Sequence, residues 1–359
     1  MVSVGELRGL LRKSVLICIQ AGVSRKWTNE SQRLILLNFD AIRDSPTNIY
    51  HDALPFSPSS SWLRKWYSAK SLQTVEVVEG RPDKWGTCSR VVSFDYLPEA
   101  LACHKDTVAV GLSSGDIIAL DAITGTRRSA FSEHTDGVTS LVFSPDGTLL
   151  ASGSKDNTIK LWDIQTGGAI KTFRSNNHRP YSVSISQDSF TIASGSHNTI
   201  YLWDIRTGKP RHTIEQCFTG QEEHPVTCVN FAQGIEIPSP LMAASEVGLV
   251  QQFDISGSKI GDPIHGDHAA FSSDGRHFIL SEGKSPVVRN SGSGTIVAFL
   301  PSVIHGLDRY CFSTSGEFVV GVSKGRAYVW SITNSARLVE TFALNNNNIS
   351  FFFFFFGVA

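Results

Sequence analysis

The chain has 359 residues, 41% of them hydrophobic and 18% charged, which is enough apolar material for a large core and excludes wholesale disorder. The 32 basic and 33 acidic side chains give a formal net charge of −1, which argues against a surface for polyanions and so against nucleic acid as a partner. Six cysteines are scattered without a Cys-x-x-Cys pair, a pattern typical of reduced thiols, and we therefore expect a cytoplasmic protein.

The first part of the chain has a helical pattern. Apolar side chains recur at steps of three and four residues within 7–18 and within 31–42, and Pro46 ends the second run. Residues 49–68 follow as a connector rich in proline, serine and aromatic side chains. No apolar run in this part is long enough for a membrane span, so we expect no membrane contact. We assign residues 1–70 to a short α-helical segment and its connector.

From about Val75 onward the chain consists of short β-type runs separated by Gly, Asp, Asn and Ser. Three phrases nearly repeat one another: "DIIALDAITGTRRSAF" (116–131), "TIKLWDIQTGGAIKTF" (158–173) and "TIYLWDIRTGKPRHTI" (199–214). Asp163 follows Asp121 by 42 residues, and Asp204 follows Asp163 by 41. A period near 40 with four short strands in each unit is the mark of a β-propeller, in which each unit is one blade.

Counting the units predicts the size of the ring. Complete units can be drawn around Asp121, Asp163, Asp204, Asp254, Asn290 and Trp330. Strand-like segments at 75–78 and 90–94 precede the first unit and would supply the outer strand of a seventh blade. Its inner strands would follow residue 348, where the chain reads "ISFFFFFFGVA". We predict an all-β propeller of six complete blades and a partial seventh, spanning 71–344, with a truncated blade and phenylalanine-rich tail at 345–359.

The repeated Trp-Asp dipeptides resemble those of the WD-repeat proteins. That resemblance implies a buried hydrogen-bonded group of histidine, serine, aspartate and tryptophan in a blade. The second unit supplies a complete set, and across the chain the implied structural network comprises His134, Ser152, Asp156, Trp162, Asp163, Trp203, Asp204 and Trp330. In the third unit Asn176 stands in place of the histidine, and a one-residue deletion removes the aspartate. We therefore expect the third blade to be less stable, with Trp203 keeping its packing role.

A narrower resemblance covers residues 30–343. The segments "IYHDALPFSPSSSWLRKWYS" (49–68), "GRPDKWGTCSRVVSFD" (80–95) and "LPEALACHKDTVAVGLSSGDIIALDAITG" (97–125) resemble the part that joins helices to propeller in fungal NACHT–WD proteins, which are NOD-like receptors. That likeness implies a sensing or scaffolding role. Such receptors also carry a nucleotide-binding domain, and the nearest phosphate-loop triplet in this chain is Gly283-Lys284-Ser285. Phe278 occupies the place of its first glycine and Pro286 opposes the helix that would follow, so we expect no bound nucleotide.

Other motifs favour structural roles over chemistry. The stretch "HGDH" brings together His265, Asp267 and His268, but its place before a predicted inner strand favours a structural histidine over a metal site. Cys103 and His104 are neighbours on a predicted strand, so their side chains point to opposite faces and form no dyad. No Gly-x-Ser-x-Gly motif is present. We predict no catalytic residue, no cofactor and no metal.

Function in a propeller concentrates in loops that the blades hold rigid. The candidate partner-binding loop residues are Asp136, Lys155, His178, Arg179, Tyr181 and His197. For each one taken singly, an ordinary solvated loop residue is the alternative. We predict a non-catalytic propeller that binds other proteins through this loop face. The alternatives are a general scaffold or adaptor subunit, for example of a ubiquitin ligase, and an enzyme with an active site at the mouth of the channel.

Overall fold

The structure is a computed structural model that divides the chain into two compact units. It describes residues 30, 34, 57–58, 60–61, 63–65, 92–122, 125–174, 178–218, 224–232, 240–272, 274–282, 285–300, 309–313, 316–323, 326–332 and 337–343. The N-terminal unit comprises 1–93 with 122–126, and the propeller unit comprises 94–121 with 127–359.

The N-terminal unit contains a buried acid at a helix start. Glu30 and Leu34 are helical, and Leu63, Arg64 and Lys65 form a helical turn. The Glu30 carboxylate accepts hydrogen bonds from the hydroxyl of Ser61 at 2.9 Å and from the backbone N–H of Leu63 at 3.4 Å, which satisfies an N–H that has no partner within the turn. The helix predicted at 7–18 lies outside the described residues. No helix among those described is long and apolar enough to cross a membrane.

The described part of the propeller unit contains 24 strands in six blades of four. Blade 1 comprises β1 (Pro98–His104), β2 (Thr107–Leu112), β3 (Ile117–Asp121) and β4 (Arg127–Phe131). Blade 2 comprises β5 (Val138–Phe143), β6 (Leu149–Ser154), β7 (Thr158–Asp163) and β8 (Ala169–Arg174). Blade 3 comprises β9 (Ser182–Ile185), β10 (Thr191–Gly195), β11 (Thr199–Asp204) and β12 (Pro210–Glu215).

The remaining three blades follow the same plan. Blade 4 comprises β13 (Val226–Phe231), β14 (Leu241–Ser245), β15 (Leu249–Phe253) and β16 (Lys259–His265). Blade 5 comprises β17 (Asp267–Phe271), β18 (His277–Glu282), β19 (Ser285–Asn290) and β20 (Ile296–Phe299). Blade 6 comprises β21 (Arg309–Phe312), β22 (Phe318–Ser323), β23 (Arg326–Ser331) and β24 (Arg337–Ala343).

Within each blade the strands pair antiparallel in chain order, and the first strands of successive blades contact one another from blade 1 to blade 6. The predicted all-β fold with six complete blades is therefore confirmed. The segments 75–78 and 348–359, on which the partial seventh blade depends, lie outside the described residues. The strand predicted at 90–94 is wrong for its described part, because residues 92–94 are not in a strand. Val92 is exposed there, so the segment lacks the half-buried face that favours a strand.

The turn between the first and second strands explains why the repeats fold as hairpins. In blade 2, Gly147 has φ +78, a conformation that costs glycine nothing and strains other residues. The Ser144 hydroxyl donates to Asp146 Oδ1 at 2.6 Å and accepts from the N–H of Leu149 at 2.9 Å. Blades 3 and 5 repeat the arrangement with Ser186 and Ser272. A short Ser-x-Asp sequence thus closes these three hairpins through local bonds.

The cores lie between adjacent blades. Between blades 1 and 2, Ile117 and Phe131 pack with Val138, Leu150 and Trp162. The Trp162 ring lies 5.4 Å from the ring of Phe131, the last residue of the preceding outer strand. Each tryptophan of this kind therefore joins two blades, and its burial contributes to both.

Candidate functional site

Two sets of loops lie at one end of the blades. Because the strands alternate in direction, the loops between second and third strands share an end with the loops that connect one blade to the next. We call this the loop end. All six candidate contact residues named from the sequence lie there: Asp136, Lys155, His178, Arg179, Tyr181 and His197.

Four side chains of blade 2 form a continuous hydrogen-bonded chain beneath the loop end. The Trp162 indole N–H donates to Ser152 Oγ at 2.8 Å, and that Oγ lies 2.7 Å from His134 Nε2. His134 Nδ1 lies 2.8 Å from Asp156 Oδ2. One tautomer satisfies every member: serine donates to Nε2, and the Nδ1–H of a neutral imidazole donates to the carboxylate. The network therefore ties the inter-blade loop to the second-turn loop without an unpaired buried group.

The carboxylate of Asp156 is the charged end of this chain. Burial alone would raise its pKa, but hydrogen bonds from His134 and Thr158 and from the N–H of Thr135 outweigh that effect and hold the pKa well below its usual range. The group is therefore ionised at neutral pH. A carboxylate with several donors holds these loops in one geometry.

Asp163 and Asp204 lie apart from that network, at the opposite end of their blades. Asp163 Oδ1 accepts from the N–H groups of Gln165 at 2.8 Å and Thr166 at 2.7 Å. The N–H of Thr207 and the guanidinium of Arg211 lower the pKa of Asp204 to about 2. The aspartate of each Trp-Asp pair thus shapes the turn between third and fourth strands.

Tryptophan and serine vary together across the blades. The acceptor serine lies on the second strand of its blade and pairs with the third-strand residue two places before the tryptophan. In blade 2, Ser152 pairs with Lys160. Blade 3 has the same pair, with Trp203 Nε1 3.3 Å from Ser194 Oγ. The equivalent pairs in blades 1, 4 and 5 contain neither residue: Leu120 with Val110, Phe253 with Ala243, and Arg289 with Leu280. A polar donor and its acceptor are thus lost together in these blades, which avoids an unpaired buried group.

Blade 6 breaks this rule. Trp330 is fully buried, yet its Nε1 has no hydrogen-bond partner among the described residues. The position equivalent to the acceptor serine is Gly321, which pairs with Tyr328. Membership of Trp330 in a hydrogen-bonded network was expected from its sequence position alone. The signal that would have corrected that expectation is the glycine nine residues earlier.

Gly321→Ser is expected to stabilise the protein. A hydroxyl at this position would accept the Trp330 indole N–H, as Ser152 and Ser194 do in their blades, and one buried hydrogen bond contributes about 1 kcal/mol. The free energy of unfolding is measured by urea denaturation. Gly321→Ala is the matched control because it adds a Cβ without an acceptor. Equal stability of the serine and alanine variants would contradict the missing-acceptor interpretation.

The second turn of blade 3 has an anchor that the sequence analysis missed. Asn198 Nδ2 donates to the carbonyl of Phe218 at 3.1 Å, and the Phe218 N–H donates to Asn198 Oδ1 at 2.8 Å. These two bonds tie the shortened turn to the segment that follows blade 3. Asn176, which replaces the network histidine in this blade, lies outside the described residues. An asparagine at the position where the turn is shortened is the only sequence signal for this contact.

Four of the candidate contact residues form one cluster at the loop end of blade 3. The His178 and His197 rings meet edge to face at 5.5 Å, and the Tyr181 ring meets His197 at 5.8 Å. The guanidinium of Arg179 lies over the Tyr181 ring at 5.1 Å. We call these residues the His-Arg-Tyr cluster. Lys155 and Asp136 lie at the neighbouring seam, between blades 1 and 2.

Hydrogen bonds to the backbone of 179–181 hold the cluster in place. The Ser196 hydroxyl donates to the carbonyl of Arg179 at 2.9 Å, and the Tyr181 N–H donates to the carbonyl of Gly195 at 2.8 Å. The Thr139 hydroxyl of blade 2 donates to the carbonyl of Pro180 at 2.6 Å. The segment that carries the cluster is thus fixed to two blades at once, which lowers the entropic cost of binding a partner there.

Other residues considered for chemistry have structural positions. His265 ends β16 and Asp267 begins β17, so "HGDH" is an inter-blade connection; the side chains of Asp267 and His268 lie outside the described residues. Burial raises the pKa of Cys103 to about 12, so the thiolate needed for nucleophilic attack is disfavoured. Ser285 begins strand β19, where a phosphate loop needs a helix. The described residues contain no group of three or more His, Cys, Asp or Glu side chains placed to hold a metal ion.

Six four-stranded blades with buried tryptophans between them place the protein in the class of β-propellers. The family described as WD domain, G-beta repeat matches residues 125–163 and 167–204. These ranges run from β4 of blade 1 through blade 2 to β11 of blade 3. The chain therefore contains WD repeats, and its described part folds as a six-blade β-propeller.

Similar proteins share only parts of their length with this chain. WD repeat and SOCS box-containing protein 1 of Homo sapiens is 33% identical over 108 residues, covering 30% of this chain and 26% of that protein. Striatin of Rattus norvegicus is 26% identical over 192 residues, covering 49% and 23%. Eukaryotic translation initiation factor 3 subunit I of Bombyx mori is 34% identical over 70 residues, covering 20% and 21%. The matches span about a quarter of each relative, so they extend to repeats and not to whole proteins.

Proposed function

We propose that this protein is a non-catalytic propeller that binds other proteins at its loop end. The observation that carries the proposal is the His-Arg-Tyr cluster, in which three exposed side chains surround the half-buried Tyr181. Arginine and tyrosine are among the residues enriched at the centre of protein interfaces. Hydrogen bonds to two blades hold the cluster in a single geometry, so little order has to be gained on binding.

A scaffolding role is supported by the chemistry of the site and by the relatives. Side chains at the loop end stack and donate hydrogen bonds, and Cys103, the thiol considered for catalysis, has a raised pKa. The similar proteins include one whose name marks it as a subunit of a translation initiation factor. A general scaffold or adaptor subunit is therefore the second candidate. An enzyme with its active site at the channel mouth would need converging acids, bases or metal ligands there.

More specifically, we propose a cytoplasmic role as the sensing or scaffolding part of a fungal NOD-like receptor. The support is the likeness of the segments 49–68, 80–95 and 97–125 to the junction between helices and propeller in those receptors. In this arrangement the propeller would recognise a protein ligand at the loop end while the remainder of the receptor responds.

Site-specific photo-crosslinking tests the proposed binding end. A benzophenone amino acid placed at His197 is expected to capture discrete proteins from an extract of the source cells, which mass spectrometry would identify. The matched control is the same amino acid at Gln165, which is also exposed but lies in a turn at the opposite end of blade 2. Capture of the same proteins from both positions, or from Gln165 alone, would refute binding at the loop end. Subunits of one stable complex would favour the adaptor over the receptor.

A further inference from the structure

We propose that the His-Arg-Tyr cluster binds an anionic side chain, either a carboxylate or a phosphate, on an extended segment of the partner protein. This inference rests on the proposed function and specifies the chemistry of the partner. Its basis is a difference between two neighbouring blades. The loops of blade 2 place an acid beside each basic group, and the equivalent turn of blade 3 has lost its acid.

At the seam between blades 1 and 2 the chain supplies its own carboxylates. Lys155 Nζ lies 2.6 Å from Glu99 Oε1, and His134 Nδ1 lies 2.8 Å from Asp156 Oδ2. Each basic group of these loops is thus matched by an acid from the same protein. An incoming anion would have to displace an existing partner, so this seam is closed to it.

In blade 3 the corresponding acid is missing. The second turn reads "GSHNTI" where blade 2 reads "GSKDNTI", so the aspartate is deleted and His197 stands in the place of Lys155. Arg179 is exposed and forms no ion pair with any residue that the structure describes. The loop end of blade 3 thus carries basic side chains without the carboxylate that blade 2 has in the equivalent turn.

The geometry of Arg179 suits an anion. Its guanidinium carbon lies over the Tyr181 ring, 5.1 Å from the ring centre. An arginine beside an aromatic ring can still offer two parallel N–H groups to an anion. The His197 ring contacts the same Tyr181 ring edge to face at 5.8 Å. A guanidinium close to an imidazole is the chemistry that recognises carboxylate and phosphate oxygens.

Fluorescence anisotropy with three synthetic peptides tests the proposal on the full chain. The peptides share a flexible glycine–serine background and differ only at two central positions, which carry glutamate, phosphoserine or glutamine. We expect the glutamate or phosphoserine peptide to bind at least about ten-fold more tightly than the glutamine peptide. The preferred anion identifies the source, because a carboxylate partner favours the first peptide and a phosphorylated partner the second.

Two arginine variants locate the binding site. Arg179→Gln is expected to abolish the preference for the anionic peptide. Arg206→Gln is the matched control, because Arg206 also stacks on an aromatic ring, that of Phe190 at 5.8 Å, but lies at the opposite end of blade 3. Equal binding of all three peptides, or equal losses in the two variants, would overturn the proposal. If His197 still captures a protein partner in that case, the interaction function stands and only the anionic specificity is wrong.

Discussion

Trp162→Ala is expected to lower the free energy of unfolding by about 3–5 kcal/mol, the usual cost of truncating a large buried aromatic side chain. Only 1% of this residue is exposed, and its ring contacts both Phe131 of the previous blade and His134 of the loop above it. The substitution therefore opens a cavity between two blades and also removes the indole N–H from the hydrogen-bonded chain. Urea denaturation followed by circular dichroism measures the loss.

Lys155→Ala in the same blade is the control for that substitution. Its ion pair with Glu99 is partly exposed on both sides, so solvent screens it and its loss costs about 0–1 kcal/mol. The lysine lies close to the tryptophan in sequence but outside the core. If the two variants lose equal stability, the assignment of Trp162 to the seam between blades is wrong.

The periodic part of the fold could be predicted from the sequence because its determinants are local. The regular spacing of Asp121, Asp163 and Asp204 marks equivalent turns, and each turn is closed by bonds within a few residues, as at Asp163 with Thr166. Four strands per unit follow from this spacing. The blades therefore form where the repeats indicate, even where Trp-Asp is degraded to Phe253-Asp254.

The loop end could be predicted only as a set of candidates. Tyr181 and His197 belong to different loops, and their edge-to-face contact depends on how two hairpins are placed. The ion pair between Glu99 and Lys155 joins residues 56 apart in sequence, and no local pattern announces it. Contacts between blades follow from the position of whole sheets, which a repeat signal does not encode. The missing partner of Trp330 differs in this respect, because it lies within one blade and Gly321 marks it in the sequence.

Ser152→Ala is expected to cost about 2–4 kcal/mol, although it removes a single oxygen, because two buried groups lose their partner. Ser152 Oγ accepts the N–H of Trp162 at 2.8 Å and lies 2.7 Å from His134 Nε2. With alanine in its place, Trp162 Nε1 and His134 Nε2 both lose this hydrogen-bond partner, while His134 Nδ1 keeps its contact with Asp156. The free energy of unfolding from urea titration is again the measurement.

Ser194→Ala in blade 3 is the matched comparison, with an expected cost of about 1 kcal/mol. Among the residues that the structure describes, its hydroxyl contacts the indole of Trp203 at 3.3 Å and continues to no further side chain.

A double-mutant cycle then separates the polar interaction from packing. Blade 4 carries Phe253 with Ala243 at the equivalent positions, so Trp162→Phe combined with Ser152→Ala copies a pair that the chain already uses. We expect the double variant to lose less stability than the two single losses added together, because it removes the indole donor along with its acceptor. Strictly additive losses would show that the tryptophan and serine of blade 2 act independently, and the explanation for their joint variation across blades 1 to 5 would then fail.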